Sequence, residues 1–146
     1  MYEYHATIKR VIDGDTVVAD IDLGFNTVLH DEHIRLYFID APERRSSDLV
    51  EKHFGELAKE YVEGFLQVGE KYVFVSRHFD QNDKYGRTAG DFSVYDAESD
   101  CWRMLTELLL RDHHAVKYRE GKRDIMEAEH QRNRELLVEK GKTSWP

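Results

Sequence analysis

The 146-residue sequence predicts an α+β fold in which a five-stranded β-barrel carries three α-helices. Three observations lead there. The first half of the chain alternates apolar and polar residues with the two-residue period of half-buried strands. A stripe with helical spacing then interrupts the strands before the fourth. Two further helical segments follow the fifth.

Tyr2, Tyr4, Ala6 and Ile8 alternate with polar residues and predict the first strand. Asp13-Gly14-Asp15 is a turn signal, after which Val17, Ala19, Ile21 and Leu23 resume the alternation as a second strand. Leu23-Gly24-Phe25-Asn26 marks the next reversal. A third strand is expected from Val28 to Ile39, stopped by Pro42, which cannot continue a ladder. Phe54, Leu57, Ala58, Tyr61, Val62, Phe65 and Leu66 form one apolar helical stripe, with Gly69 where a C-cap is expected. Tyr72 to Phe79, rich in valine and aromatics, reads as a fourth strand, and Asp80 to Gly86 as a polar loop. Thr88 to Tyr95 is the fifth strand, with Gly90 at a bulge or bend. Met104, Leu105, Leu108 and Leu109 mark a second helix. Asp124 to Lys140 is the third; Asp124 and Glu127 have capping-box spacing and Gly141 lies just past the end. Its few apolar residues predict a largely exposed helix. With no repeat and no linker, the chain is expected to be one domain over residues 1–146. Five short strands with one inserted helix suggest the OB-type barrel, whose outer face commonly binds oligonucleotides.

Composition bounds the function. With 40% hydrophobic and 12% aromatic residues, the chain is expected to fold rather than remain disordered. No apolar run approaches a membrane span, so no membrane partner is expected. Met1-Tyr-Glu-Tyr-His5 shows neither a basic nor an apolar leader region. A cytoplasmic or host-cell interior setting is therefore expected, or a secreted one if a leader has been removed. Cys101 is the single cysteine, so an internal disulfide is excluded. Monomer is the default. The net charge of −8 weighs against a nucleic-acid partner, because phosphate binding normally draws on a surplus of Lys and Arg. The charge is uneven: residues 111–146 hold nine Lys/Arg against seven Asp/Glu, so the acidic excess lies in the first 110 residues.

Three clusters outweigh the charge: Asp13-Gly-Asp15-Thr16, Arg35 through Asp40 to Glu43, and Asp83-Lys84-Tyr85-Gly86-Arg87. Singly they read as a hairpin turn, a surface ion pair and a solvated loop. Together they supply what phosphodiester hydrolysis requires. Guanidiniums bind phosphate oxygens bidentately and match the charge that grows in the transition state. Hard divalent cations take carboxylate and carbonyl oxygens. A further carboxylate orients or deprotonates the attacking water. Asp15, Asp40, Glu43, Arg35 and Arg87 leave none of these roles vacant.

Val11-Ile-Asp13-Gly-Asp15-Thr-Val17, Arg35 to Glu43 and Asp83 to Arg87 resemble, in order and spacing, the three signature segments of the staphylococcal nuclease family. Gly55-Glu-Leu-Ala58 and the Trp145 ending resemble the family as well, so the likeness runs from Ile8 to Trp145. The resemblance implies an OB-fold barrel with three helices and a calcium-dependent endo- or exonuclease. It would hydrolyse single-stranded DNA and RNA to 3′-phosphate products, with Mg2+ or Mn2+ as possible substitutes for Ca2+. It also implies roles. Asp15, Asp40 and the Ala41 backbone carbonyl would hold the ion, with Asp13 in its outer shell. Glu43 would be the general base, and Arg35 and Arg87 would grip the scissile phosphate. Lys84 and Tyr85 would contact the neighbouring terminal phosphate, and Tyr118 would stack on a base. Residue 41 is commonly Thr in the family and is Ala here, a change that spares a main-chain ligand.

Blander readings bound the list. His113-His114 lacks Cys or carboxylate partners at zinc spacing and reads as a helix end. Lys117, Arg119, Lys122 and Arg123 form either a solvated surface or a guide for a strand. Cys101 reads as an inert, half-buried thiol. The alternative to an enzyme is a non-catalytic module on the same barrel that binds nucleic acid or protein.

Overall fold

The computed structural model describes residues 2–77 and 87–145, which form eight strands and three helices. Strand β1 (Glu3–Asp13) and strand β2 (Thr16–Gly24) pair antiparallel across the Asp13-Gly14-Asp15 turn. Ala6 and Ile8 are buried, as the alternation predicts. A register shift between Ile8 and Arg10 then changes the phase, so that Val11 is the next inward residue. Strand β3 (Thr27–Leu36) returns from β2 through a two-residue turn at Phe25 and Asn26, both with positive φ. This hairpin runs past the core, which leaves Leu23 and Phe25 exposed.

The third strand ends earlier than expected. Phe38 takes a positive φ of 66°, and the chain breaks at Tyr37–Phe38 before a two-residue strand β4 (Ile39–Asp40). Two hydrogen bonds hold the break: Tyr37 N–H to the Gly90 carbonyl, and Tyr118 N–H to the Phe38 carbonyl. The break redirects the segment that carries Asp40.

Helix α1 (Leu49–Phe65) follows, capped by the Asp48 side chain on the Val50 and Glu51 N–H groups. Phe54, Ala58, Val62 and Leu66 bury one face, in line with the predicted stripe. The helix ends at Leu66 as its C-cap, and Gly69 lies beyond it, in the turn to β5. Strands β5 (Lys71–Ser76) and β6 (Thr88–Asp96) come next, and β7 (Cys101–Met104) adds a strand that the alternation did not announce. Helix α2 (Leu105–Arg111), strand β8 (Val116–Lys117) and helix α3 (Arg123–Glu139) complete the chain.

In the main sheet the strands run β3-β2-β1-β5-β6-β7, and β3 also pairs in parallel with β6 through Ile34, Arg35 and Leu36. That pairing joins the sheet back on itself, so β1, β2, β3, β6 and β5 follow one another around a circuit. This is the five-stranded OB-type arrangement with three helices, and β7 lies outside the circuit. One cluster of buried residues fills it, including Ile8, Val17, Ile34, Phe74 and Phe92, with Leu105, Leu108 and Leu109 of α2 closing one end. Helix α3 buries only Leu137 fully, as its composition suggested. Its capping box does not form: Lys122 is the N-cap and makes no side-chain bond. At the other end Gly141 N–H bonds to Val138 and Lys142 N–H to Leu137, a Schellman close.

Candidate active site

The signature residues gather at one end of the barrel because the ladder puts them there. Thr16 pairs with Arg35 across β2 and β3, and Leu36 N–H donates to the Asp15 carbonyl at 2.8 Å. Arg35 also pairs with Ala89 in β6, two residues beyond Arg87. Asp40 pairs with Val116 in the short β4–β8 ladder, which brings Tyr118 alongside. The loop from Ala41 to Asp48 then crosses to α1.

Two glycines let these pieces approach. A Cβ on Gly14 would lie 2.6 Å from the Ala58 Cβ and 3.0 Å from that of Ala41. One on Gly55 would lie 2.7 Å from the Arg44 backbone. Helix α1 therefore packs directly on the acidic turn and on the loop, with no side chain between.

A groove of about 970 Å³ opens here, lined by Asp13, Asp15, Arg35, Asp40, Glu43 and Arg87, with Tyr118 at its rim. Helix α3 forms a second wall through Met126, His130 and Arg134. Arg35 stands between two carboxylates, with Nη1 3.3 Å from Asp15 Oδ2 and Nη2 3.7 Å from Asp40 Oδ1. Asp15 also accepts from Ala41 N–H at 3.0 Å and from the Thr16 hydroxyl at 3.2 Å. Burial pushes the Asp15 carboxyl above its ordinary range. Arg35 and the Ala41 N–H oppose the shift, while the charges of Asp40 and Asp13 add to it. At Asp15 the cost of burial thus outweighs the relief that Arg35 and the Ala41 N–H give.

Glu43 is exposed and accepts from Arg45 N–H at 2.9 Å. Glu51 steadies the same loop, accepting from the Ser46 hydroxyl at 2.9 Å. Arg44 bonds the Ile12 carbonyl at 2.9 Å and lies 3.4 Å from Asp13, tying the loop to β1. The Asp13 Oδ1 atom is buried and accepts no hydrogen bond among the described residues.

Asp13, Asp15, Arg35, Asp40, Ala41, Glu43, Arg87 and Tyr118 therefore share one groove. Lys84 and Tyr85 lie outside the described residues. Sequence reasoning missed Arg44 and Glu51, which shape the loop, and His130, whose Nε2 lies 2.9 Å from Asp40 Oδ2. For His130 a signal existed: Met126, His130, Asn133 and Leu137 recur at helical spacing and form the inner stripe of α3. Its two middle members are polar, so an apolar scan passes over it.

A divalent cation is the group this chemistry implies. Among the described residues, no three His, Cys, Asp or Glu side chains stand as a ready cage. The oxygens fit a hard cation nonetheless. Asp15 and Asp40 already converge on a positive charge, that of Arg35, and Asp13 offers a further buried oxygen whose nearby cation, Arg44 at 3.4 Å, makes no hydrogen bond to it.

Comparison with known proteins agrees with this geometry. A stretch of 93 residues, 60% of this chain, is 32% identical to "Endonuclease YhcR" of Bacillus subtilis (strain 168). Another of 81 residues, 56% of the chain, is 35% identical to "Thermonuclease" of Staphylococcus intermedius. These stretches span 7% and 44% of the two relatives' own lengths, so the chain corresponds to under half of either. The family model described as "Staphylococcal nuclease homologue" matches residues 33–143, from within β3 to just past α3. Asp13 and Asp15 precede that span and join it through the β2–β3 ladder. The chain belongs to the staphylococcal nuclease homologue family.

Proposed function

We propose that this chain is a calcium-dependent nuclease that hydrolyses DNA and RNA, acting on single strands as one monomeric domain. The observation that supports it most is the placement of Asp15, Arg35, Asp40, Glu43 and Arg87 around one polar groove. The names of the two relatives, an endonuclease and a thermonuclease, point the same way.

In this reading Arg35 and Arg87 bind the scissile phosphate and hold its oxygens as charge develops on them. Glu43 orients a water and takes its proton as the new phosphorus–oxygen bond forms. The bond to the 5′ oxygen breaks, leaving a 3′-phosphate, and the departing oxygen takes a proton from solvent to become a 5′-hydroxyl. Asp15, Asp40 and the Ala41 carbonyl would hold a Ca2+ ion, with Asp13 behind them; Mg2+ or Mn2+ are the substitutes to test. When bound, the ion supplies positive charge against the phosphate oxygens. Tyr118, exposed at the rim, offers a ring for base stacking, worth about 1–3 kcal/mol per base where it occurs. Lys84 and Tyr85 are assigned the adjacent terminal phosphate by motif position alone.

The test is cleavage of a labelled single-stranded DNA oligonucleotide and its RNA counterpart with calcium, with magnesium and with chelator. The Glu43→Gln protein runs beside them. Cleavage that needs the ion and drops by about 10²–10⁴-fold in the variant is expected. No cleavage by folded protein under any ion overturns the reading in favour of a binding module, which the net charge of −8 would suit.

A further inference from the structure

Asp40 sits on weak local support. Its strand is two residues long, and among the described residues its only ladder is the two-residue pairing with β8. Its side-chain orientation must come from elsewhere. One carboxylate oxygen, Oδ1, faces Arg35 at 3.7 Å, a loose contact. The other, Oδ2, meets His130 Nε2 at 2.9 Å, across 90 residues of sequence. A carboxylate oxygen only accepts, so the imidazole Nε2 carries the proton in this bond.

His130 is itself held. Its side chain is 13% exposed, and the helix face that carries it is docked over the next two turns. There the Asn133 amide donates to the Ala115 carbonyl at 3.1 Å and Leu137 is buried. The ring thus has a fixed origin from which to hold a carboxylate. Pinning Oδ2 restricts rotation of the Asp40 carboxyl group and leaves Oδ1 on the side that Asp15 shares. Outer partners of this kind orient ligands, and their loss weakens cation binding although they never touch the ion.

The geometry points to His130 as a positioning residue of the cation site: its Nε2–H fixes the Asp40 carboxylate so that Oδ1 is presented beside Asp15. This rests on the proposal that Asp15 and Asp40 hold a divalent ion. A bland alternative is that His130 merely fastens α3 to the barrel. The two differ in what the contact controls, which is ion affinity in one case and helix stability in the other.

The test is calorimetric titration of calcium chloride into the full-length wild type, His130→Ala and His130→Gln, each paired with a thermal melt. Gln keeps an N–H donor of similar reach. The expected result is calcium affinity weakened about 10–100-fold in His130→Ala, restored to within a few-fold in His130→Gln, with little change in Tm. Wild-type affinity in His130→Ala, or a fall in Tm with affinity intact, overturns the positioning role. Equal weakening in both variants at unchanged Tm overturns the N–H donor as its basis. Absence of calcium binding in the wild type removes the ion site itself and the inference with it, an outcome distinct from the other three.

Discussion

Two ends of the same barrel each bury an aspartate beside an arginine, and they treat the pair in opposite ways. At the α2 end, Arg111 grips Asp96 with both terminal nitrogens, at 2.6 and 3.2 Å, and Ser99 adds its hydroxyl at 2.6 Å. Those hydrogen bonds hold the Asp96 carboxyl far below the usual carboxylate range. At the groove end, Arg35 meets Asp15 and Asp40 at 3.3 and 3.7 Å, and burial wins at Asp15, whose carboxyl moves up instead. The first end is satisfied internally. At the second, burial disfavours the charged form of Asp15 despite Arg35, which leaves a carboxylate that a cation would favour. A buried carboxylate is therefore not a uniform object: the number and aim of its donors decide whether it stabilises the fold or waits for a ligand.

Asparagine at the two positions breaks the comparison most directly. Asp15→Asn removes a charge that folding opposes, so its Tm should rise while cleavage falls by about 100-fold or more, the trade expected of a strained functional group. Asp96→Asn should lower Tm and leave the cleavage rate of the folded protein unchanged. Melting curves and rates on both proteins decide it; Tm shifts of the same sign would sink the contrast. The pH profile carries the same signs. Asp96 contributes stability that is lost as pH falls through the acid range, whereas Asp15, raised in the folded state, costs stability as pH rises through its folded pKa.

His114 sharpens the contrast at milder pH. It packs 4.5 Å from the Tyr61 ring, its Nδ1 is buried without a hydrogen-bond partner among the described residues, and burial lowers its pKa to about 4. The unfolded chain takes up this proton near pH 6.5, the folded one only near 4, so stability is complete above 6.5 and declines below it. A loss on the order of 2–3 kcal/mol between pH 6.5 and 4 is expected from urea midpoints. It should shrink in His114→Gln; an unchanged slope in that variant would remove His114 as the cause.

The smallest of these effects concerns the start of α2. The N-cap residue Met104 has no side chain for the task, and Asp91 of β6 supplies the acceptors, taking the Thr106 N–H at 3.2 Å and its hydroxyl. Thr106→Val strands one buried carboxylate oxygen and should cost about 1–3 kcal/mol in urea denaturation with cleavage untouched. A cost below a few tenths of a kcal/mol would mean that the cap is redundant.

How far these features were legible in the sequence depends on their range. Period-two alternation located β1 and β2, and the stripe from Phe54 to Leu66 located α1, because local periodicity is written by the core each element faces. The signature residues from Asp13 to Arg87 were legible through their spacing, and the groove gathers those that are described. The break at Phe38 was not, since a positive φ at a bulky residue follows from tertiary hydrogen bonds to Gly90 and Tyr118. The Asp124–Glu127 capping box misled, because spacing gives an opportunity for a cap and Lys122 takes the position instead. Asp91 capping α2 was invisible for the same reason, and the inner stripe of α3 could show His130 turned inward but not that Asp40, 90 residues away, would be its partner.

The parallel pairing of β3 with β6 has a kinetic consequence. It joins residues 34–36 to residues 88–90, a separation that must be spanned before the circuit closes, and such distant pairings form slowly relative to local hairpins. The β1–β2–β3 meander can set Arg35 beside Asp15 early, with no help from the rest of the chain. Arg87 reaches the same groove only with β6. Refolding followed by helical signal would then run ahead of refolding followed by recovered cleavage, and the lag between the two would time the closing of the barrel.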